Sequence, residues 1–136
     1  MQFAVAFPFL IVVILVYNLI VFVSATALGE PVFSVPMISR AVMTVTVGDL
    51  VILLGLVVLF IEVLKSARST TATILDHMMS TAVFIVALVE FLIVREAGTA
   101  VFLILTTICL IDVVAGYTVS IRTARRDFSI ERDAPL

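Results

Sequence analysis

Polar and charged positions divide this chain into four long apolar runs. Residues 3–27 carry no charged side chain and only one strongly polar one, Asn18. Residues 41–64 form a second run, which holds Asp49 and nears its end at Glu62. A third, residues 76–94, opens on Asp76 and His77 and holds Glu90 near its end. The fourth, residues 99–121, holds one charge, Asp112. A helix rises 1.5 Å per residue, so about 20 apolar residues cross the roughly 30 Å hydrocarbon core of a bilayer. The pattern predicts an all-α integral membrane protein, a mostly up-down bundle of four transmembrane helices in a single domain.

The breaks between runs fit that reading. Gly29, Pro31 and Pro36 interrupt helix, and predict a loop over residues 28–40. Its centre, Val32-Phe33-Ser34-Val35-Pro36-Met37, is apolar and is expected to lie along the membrane surface. Lys65 to Thr73 is a short polar connection, and Thr73 with Asp76 has capping-box spacing. Arg95-Glu96-Ala97-Gly98 predicts a tight turn. Residues 122–136 form a tail expected to be frayed or docked on a neighbour. A secretory leader is the competing reading of the first run, because Ala25-Thr26-Ala27 resembles a cleavage site. The run is too long for a leader and no Lys or Arg precedes it, so a retained helix is expected.

Composition strengthens the assignment. Hydrophobic residues make up 63% of the chain and charged residues 13%, too few to coat a soluble domain of 136 residues. The net charge of −2 argues against a nucleic-acid partner. Cys109 stands alone, which excludes an intrachain disulfide and suits a small buried residue. Trp is absent, which leaves Tyr17, Tyr117 and ten Phe to mark the interfaces. Lys65, Arg68, Arg122, Arg125, Arg126 and Arg132 fall on one side of a four-span layout, and Arg40 and Arg95 on the other. The positive-inside rule then predicts both termini in the cytoplasm. Arg122, Arg125 and Arg126 share a helical face and are expected to snorkel to anionic lipid headgroups.

The intramembrane acids are the candidate chemistry. Helix rise puts Asn18 about 4 Å, Asp49 about 5 Å and Glu90 about 7 Å to the outer side of the bilayer centre. Asp112 falls about 4 Å to the inner side, with His77 and Glu62 below it. The first three predict a polar site in the outer half, continued towards the cytoplasm by Asp112, His77 and Glu62. No basic residue lies at the depth of Asp49, Glu90 and Asp112, so these carboxyls are expected to hold protons. The alternative is that they act as interhelical glue. Glu62 reads first as an interfacial partner of Lys65, three residues on. His77 reads first as an interfacial histidine rather than a proton relay or metal ligand. Small residues at Thr44, Gly48 and Gly55, and at Ala115 and Gly116 beside Asp112, predict close helix contacts. A second copy of the chain or a larger membrane complex would supply some of them.

Several chemistries are excluded. Bis-His haem ligation within the chain needs two histidines, and there is one. Glu-x-x-His pairs, Gly-rich phosphate loops, nucleophile elbows and Cys-x-x-Cys are all missing. An enzyme is not expected, nor a metal or cofactor. Size and four-span layout are similar to those of the small multidrug resistance transporters. That family places its essential Glu in the first span, and this first span has no acid, so its function is not carried over. Residues 73–81 (Thr-Ile-Leu-Asp-His-Met-Met-Ser-Thr), Glu90-Phe91-Leu92, and Asp112 to Gly116 leading into residues 120–127 resemble small four-span inner-membrane proteins of alphaproteobacteria without assigned activity. That resemblance covers the second half of the chain and implies a bacterial inner-membrane location. Two functions remain in view. One is a small transport-type protein moving or sensing protons or cations through Asn18, Asp49, Glu90 and Asp112. The other is an accessory subunit of a larger membrane assembly.

Overall fold

A computed structural model describes residues 7–68 and 73–132 of the chain. The start of the first expected span, most of the polar connection after the second and the end of the tail lie outside the described residues, as does the side chain of Thr73 with its expected cap. The protein is 78% helical, as an all-α membrane protein would be, with one addition. In chain order the elements are α1 (Leu10–Val23), β1 (Pro31–Pro36), β2 (Val42–Thr46), α2 (Val47–Arg68), α3 (Thr73–Ile93) and α4 (Ala100–Arg132). Short 3-10 turns, Ala27–Gly29 and Arg95–Ala97, precede β1 and α4.

The addition is an antiparallel hairpin where a loop and the first turns of the second span were expected. Phe33, Ser34 and Val35 pair with a run rich in Val and Thr, and such residues favour the pleated chain. Ser34 lies opposite Thr44, and their hydroxyls are 2.9 Å apart. The prolines sit at the two ends of β1, where they remove little from the ladder. Arg40 closes the turn with φ of 68°, in the left-handed region. Because residues 42–46 are strand, α2 starts at Val47 and not near Ala41.

Three helices are long and apolar enough to cross a membrane: Val47–Arg68, Ile74–Ile93 and Ala100–Ile130. α1 has 14 residues, about 21 Å of rise, and is shorter than the run from residue 3 to 27. The tail is corrected too. α4 continues without interruption to Arg132, because nothing between Arg122 and Arg132 breaks helix.

α4 is the centre of the bundle. Phe102, Leu105, Cys109, Asp112 and Gly116 alternate steps of three and four, and all are buried. That is the spacing of a helix seam packed on helical neighbours. α2 and α3 pack on this seam, and α1 lies across α2 and α3. Val13, Tyr17, Val51, Val83, Ala87, Phe102 and Leu105 form the core. The outward faces of α2 and α3 carry Leu53, Leu56, Phe60, Ile85, Val86 and Leu92, all exposed, as a lipid-facing surface requires.

The small residues expected to invite a neighbour find it within the chain. A Cβ on Gly55 would lie 3.0 Å from Leu105 and 3.2 Å from Ile108, so α2 rests closely on α4. A Cβ on Gly48 would lie 2.9 Å from Val101. Gly116 meets the ring of His77 on α3. Thr44 is in β2 and takes no part. These faces therefore no longer point to a second copy.

Candidate functional site

The expected outer site does not assemble. Asp49 lies in the first turn of α2 and is exposed. Its carboxylate accepts from the backbone N–H of Thr46 at 2.9 Å and from the Thr46 hydroxyl at 2.8 Å. The Thr46 hydroxyl accepts from Asp49 N–H at 3.3 Å. This is a capping box, with Asp at its third helical position. The helix begins six residues later than the apolar run, which moves Asp49 from the middle of a helix to its first turn. Asn18 is half-buried on α1 and Glu90 half-buried near the end of α3. Among the described residues, no hydrogen bond or ion pair joins Asn18, Asp49 and Glu90.

The polar contact that does form at this end is one the sequence did not single out. Tyr17, fully buried, sets its hydroxyl 2.6 Å from Thr99 Oγ1 and donates to the Glu96 carbonyl at 3.1 Å. Thr99 Oγ1 in turn accepts from Phe102 N–H at 3.1 Å, which caps α4. A buried phenol needs such a partner.

At the opposite end the inner set gathers into one buried cluster. Lys65 is its hub. Lys65 Nζ lies 2.7 Å from Glu62 Oε2 and 3.0 Å from Asp76 Oδ1, which joins α2 to α3. It also donates to the carbonyl of Phe7 at 3.0 Å and lies 5.0 Å from the Phe9 ring centroid. The other Glu62 oxygen accepts from the N–H of Phe9. That N–H belongs to the start of α1, where the helix cannot satisfy its own donors and an anion is favoured. Ser80 on α3 donates to the carboxylate of Asp112 on α4. His77 packs on Gly116, and its ring centroid is 5.6 Å from that of Tyr117. Glu62, Asp76, His77, Ser80 and Asp112 are each at most 5% exposed.

The Glu62–Lys65 pair is as the spacing suggested, and Glu62 is only 1% exposed. His77 is also buried within the bundle. Asp76 serves Lys65. Lys65, Asp76 and Ser80 were missed as site residues. The available signal was that Glu62, Lys65 and Ser66 recur at helical spacing, which puts the lysine on the inward side of α2. Arg122, Arg125 and Arg126 are exposed on the extension of α4. Among the described residues no group of His, Cys, Asp and Glu is arranged to hold a metal ion.

Thirteen residues separate Asp49 from Glu62, His77 from Glu90 and Thr99 from Asp112. The two polar levels are thus about 20 Å apart on three helices, less than the hydrocarbon thickness. α2 runs 6 residues past Glu62 to Arg68, and α4 runs 10 past Asp112 to Arg122. The cluster therefore lies about 9–15 Å inside the level of those arginines. Between the two levels the core is apolar apart from Thr106, whose hydroxyl donates to the Phe102 carbonyl of its own helix at 2.9 Å. Tyr17 and Phe102 rings are 4.8 Å apart, Phe91 and Phe102 rings 6.5 Å apart, and Leu105 and Ile108 fill the next turns. No protein-family model, curated protein or solved structure matches the chain.

Proposed function

We propose that the chain is a non-enzymatic, four-span protein of a bacterial inner membrane that handles protons through the cluster of Glu62, Lys65, Asp76, His77 and Asp112. Both termini and the cluster face the cytoplasm in this reading, and the hairpin lies outside. The supporting observation is the charge balance of the buried cluster. Glu62 and Asp76 share Lys65, a third carboxylate, Asp112, is held by Ser80 beside them, and His77 adjoins the set. A surplus negative charge inside a membrane is costly unless a cation offsets it, and a proton is the smallest cation available. The apolar layer around Phe102 closes the outer side, so a proton is loaded from the cytoplasmic side. Passage across requires that layer to part. The site is therefore the inner set alone, without Asn18, Asp49 or Glu90.

The test is proton flux in proteoliposomes carrying an internal pH dye. Wild-type protein should dissipate an imposed gradient faster than empty vesicles. Asp112→Asn should abolish the excess while its unfolding transition persists. Wild-type flux equal to that of empty vesicles would overturn the reading.

A second reading, an accessory subunit, has one observation in its favour. The hairpin exposes Val32, Phe33, Val35, Ile38 and Val42, and a two-stranded sheet has two open edges. In that case the cluster only fastens helices. The native mass of the complex extracted in mild detergent separates the two: a single heavy partner favours the accessory subunit, and a bare monomer or homo-oligomer favours the transporter.

A further inference from the structure

The extension of α4 carries a second candidate site, independent of the buried cluster. Arg122, Arg125 and Arg126 recur at helical spacing, and all are exposed. With Val119 they line a shallow groove of about 350 Å³. Among the described residues none of the three arginines has an acidic partner.

Depth is the second observation. Arg122 lies 22 residues after Ala100, and Arg126 lies 26 after it. The α4 backbone has risen about 33–39 Å by then, just beyond a hydrocarbon core of about 30 Å. That is the level of lipid phosphates. Arg132 lies 32 residues after Ala100, about 48 Å along, beyond the headgroups.

The third observation lies above the arginines on the same helix. Leu110, Val114, Tyr117 and Ile121 step by four, three and four, and the next step of four reaches Arg125. All four are exposed, from 42% to 56%. They form an apolar track leading into the membrane from the basic groove. Guanidinium groups bind phosphate through paired N–H donors, and an acyl chain suits the track.

We infer that Arg122, Arg125 and Arg126 hold the phosphate of one anionic phospholipid, whose acyl chain lies along Leu110, Val114, Tyr117 and Ile121. The experiment is native mass spectrometry of the full chain from mixed micelles with equimolar phosphatidylglycerol and phosphatidylcholine. Wild-type protein should retain one phosphatidylglycerol in preference to phosphatidylcholine. The preference should fall about fivefold for each Arg→Gln change at 122, 125 or 126, and stay unchanged in Arg132→Gln. Equal retention of both lipids by the wild type would overturn the site, whatever the folding of the variants. Displacement of the lipid by millimolar inorganic phosphate would also overturn it, because the groove would then be a free-phosphate site. An undiminished preference in Arg122→Gln/Arg125→Gln/Arg126→Gln would do the same.

Discussion

The two polar levels of the bundle solve one problem in opposite ways. At the hairpin end the polar contacts each secure the start of a single helix. Asp49 and Thr46 cap one helix between them, and Tyr17 and Thr99 secure the start of another. Among the described residues no buried charge is shared among helices there. At the basic end, Lys65 ties Glu62, Asp76 and the carbonyl of Phe7 together, so α1, α2 and α3 meet on one ammonium group. Asp112 joins from α4 through Ser80. Local caps can be lost singly. A shared buried hub fails as a unit, since removing it strands two carboxylates at once.

Lys65→Met should therefore have the largest effect of any single change. Breaking a buried ion pair by removing one partner costs about 3–5 kcal/mol. Thermal unfolding in detergent, followed by circular dichroism, should show a large fall in midpoint. Adding Glu62→Gln and Asp76→Asn to Lys65→Met should restore part of it, because no charge is then stranded. A Lys65→Met protein as stable as wild type would dissolve the contrast between the two ends.

Glycines sharpen the comparison at smaller cost. Gly116→Ala puts a methyl 2.5 Å from the His77 ring, which must move. Overpacking of this kind costs about 1–3 kcal/mol. The loss should shrink when His77→Ala is combined with it, since the clash is between those two positions. Gly29, beside the hairpin, has nothing within 4 Å of its Cβ direction, and Gly29→Ala should leave the melting midpoint nearly unchanged. Equal losses at the two glycines would show that packing is no tighter at the cluster.

The helical class and the membrane-length runs could be read from residue spacing, because apolar runs of that length have few other uses. The pairing of Glu62 with Lys65 was legible for the same reason: it is local. The hairpin was not. Gly29, Pro31 and Pro36 mark a break in helix, but whether Phe33 to Pro36 pair with Val42 to Val45 depends on contacts across a turn. That one omission moved the start of α2 and placed Asp49 in mid-helix rather than in the first turn. The cluster was half legible. Depth put Asp112, His77 and Glu62 on one side of the bilayer centre, yet depth says nothing of rotation. Lysines near helix ends usually reach for water, so spacing alone reads Lys65 as an interfacial charge. Only the inward rotation of the last turns of α2 makes it the hub.

The smallest expected effect tests the local end. Asp49→Ala removes one half of the capping box and should cost about 1 kcal/mol. Thr46→Ala removes the other half and should cost a similar amount. The double variant should cost less than the sum, because the two side chains satisfy the same helix end. Flux through the cluster should be unchanged in all three, since Asp49 lies about 20 Å from Glu62 along α2. A loss of flux in Asp49→Ala, with the fold intact, would return Asp49 to the proton path and would mean that the two ends are coupled rather than separate.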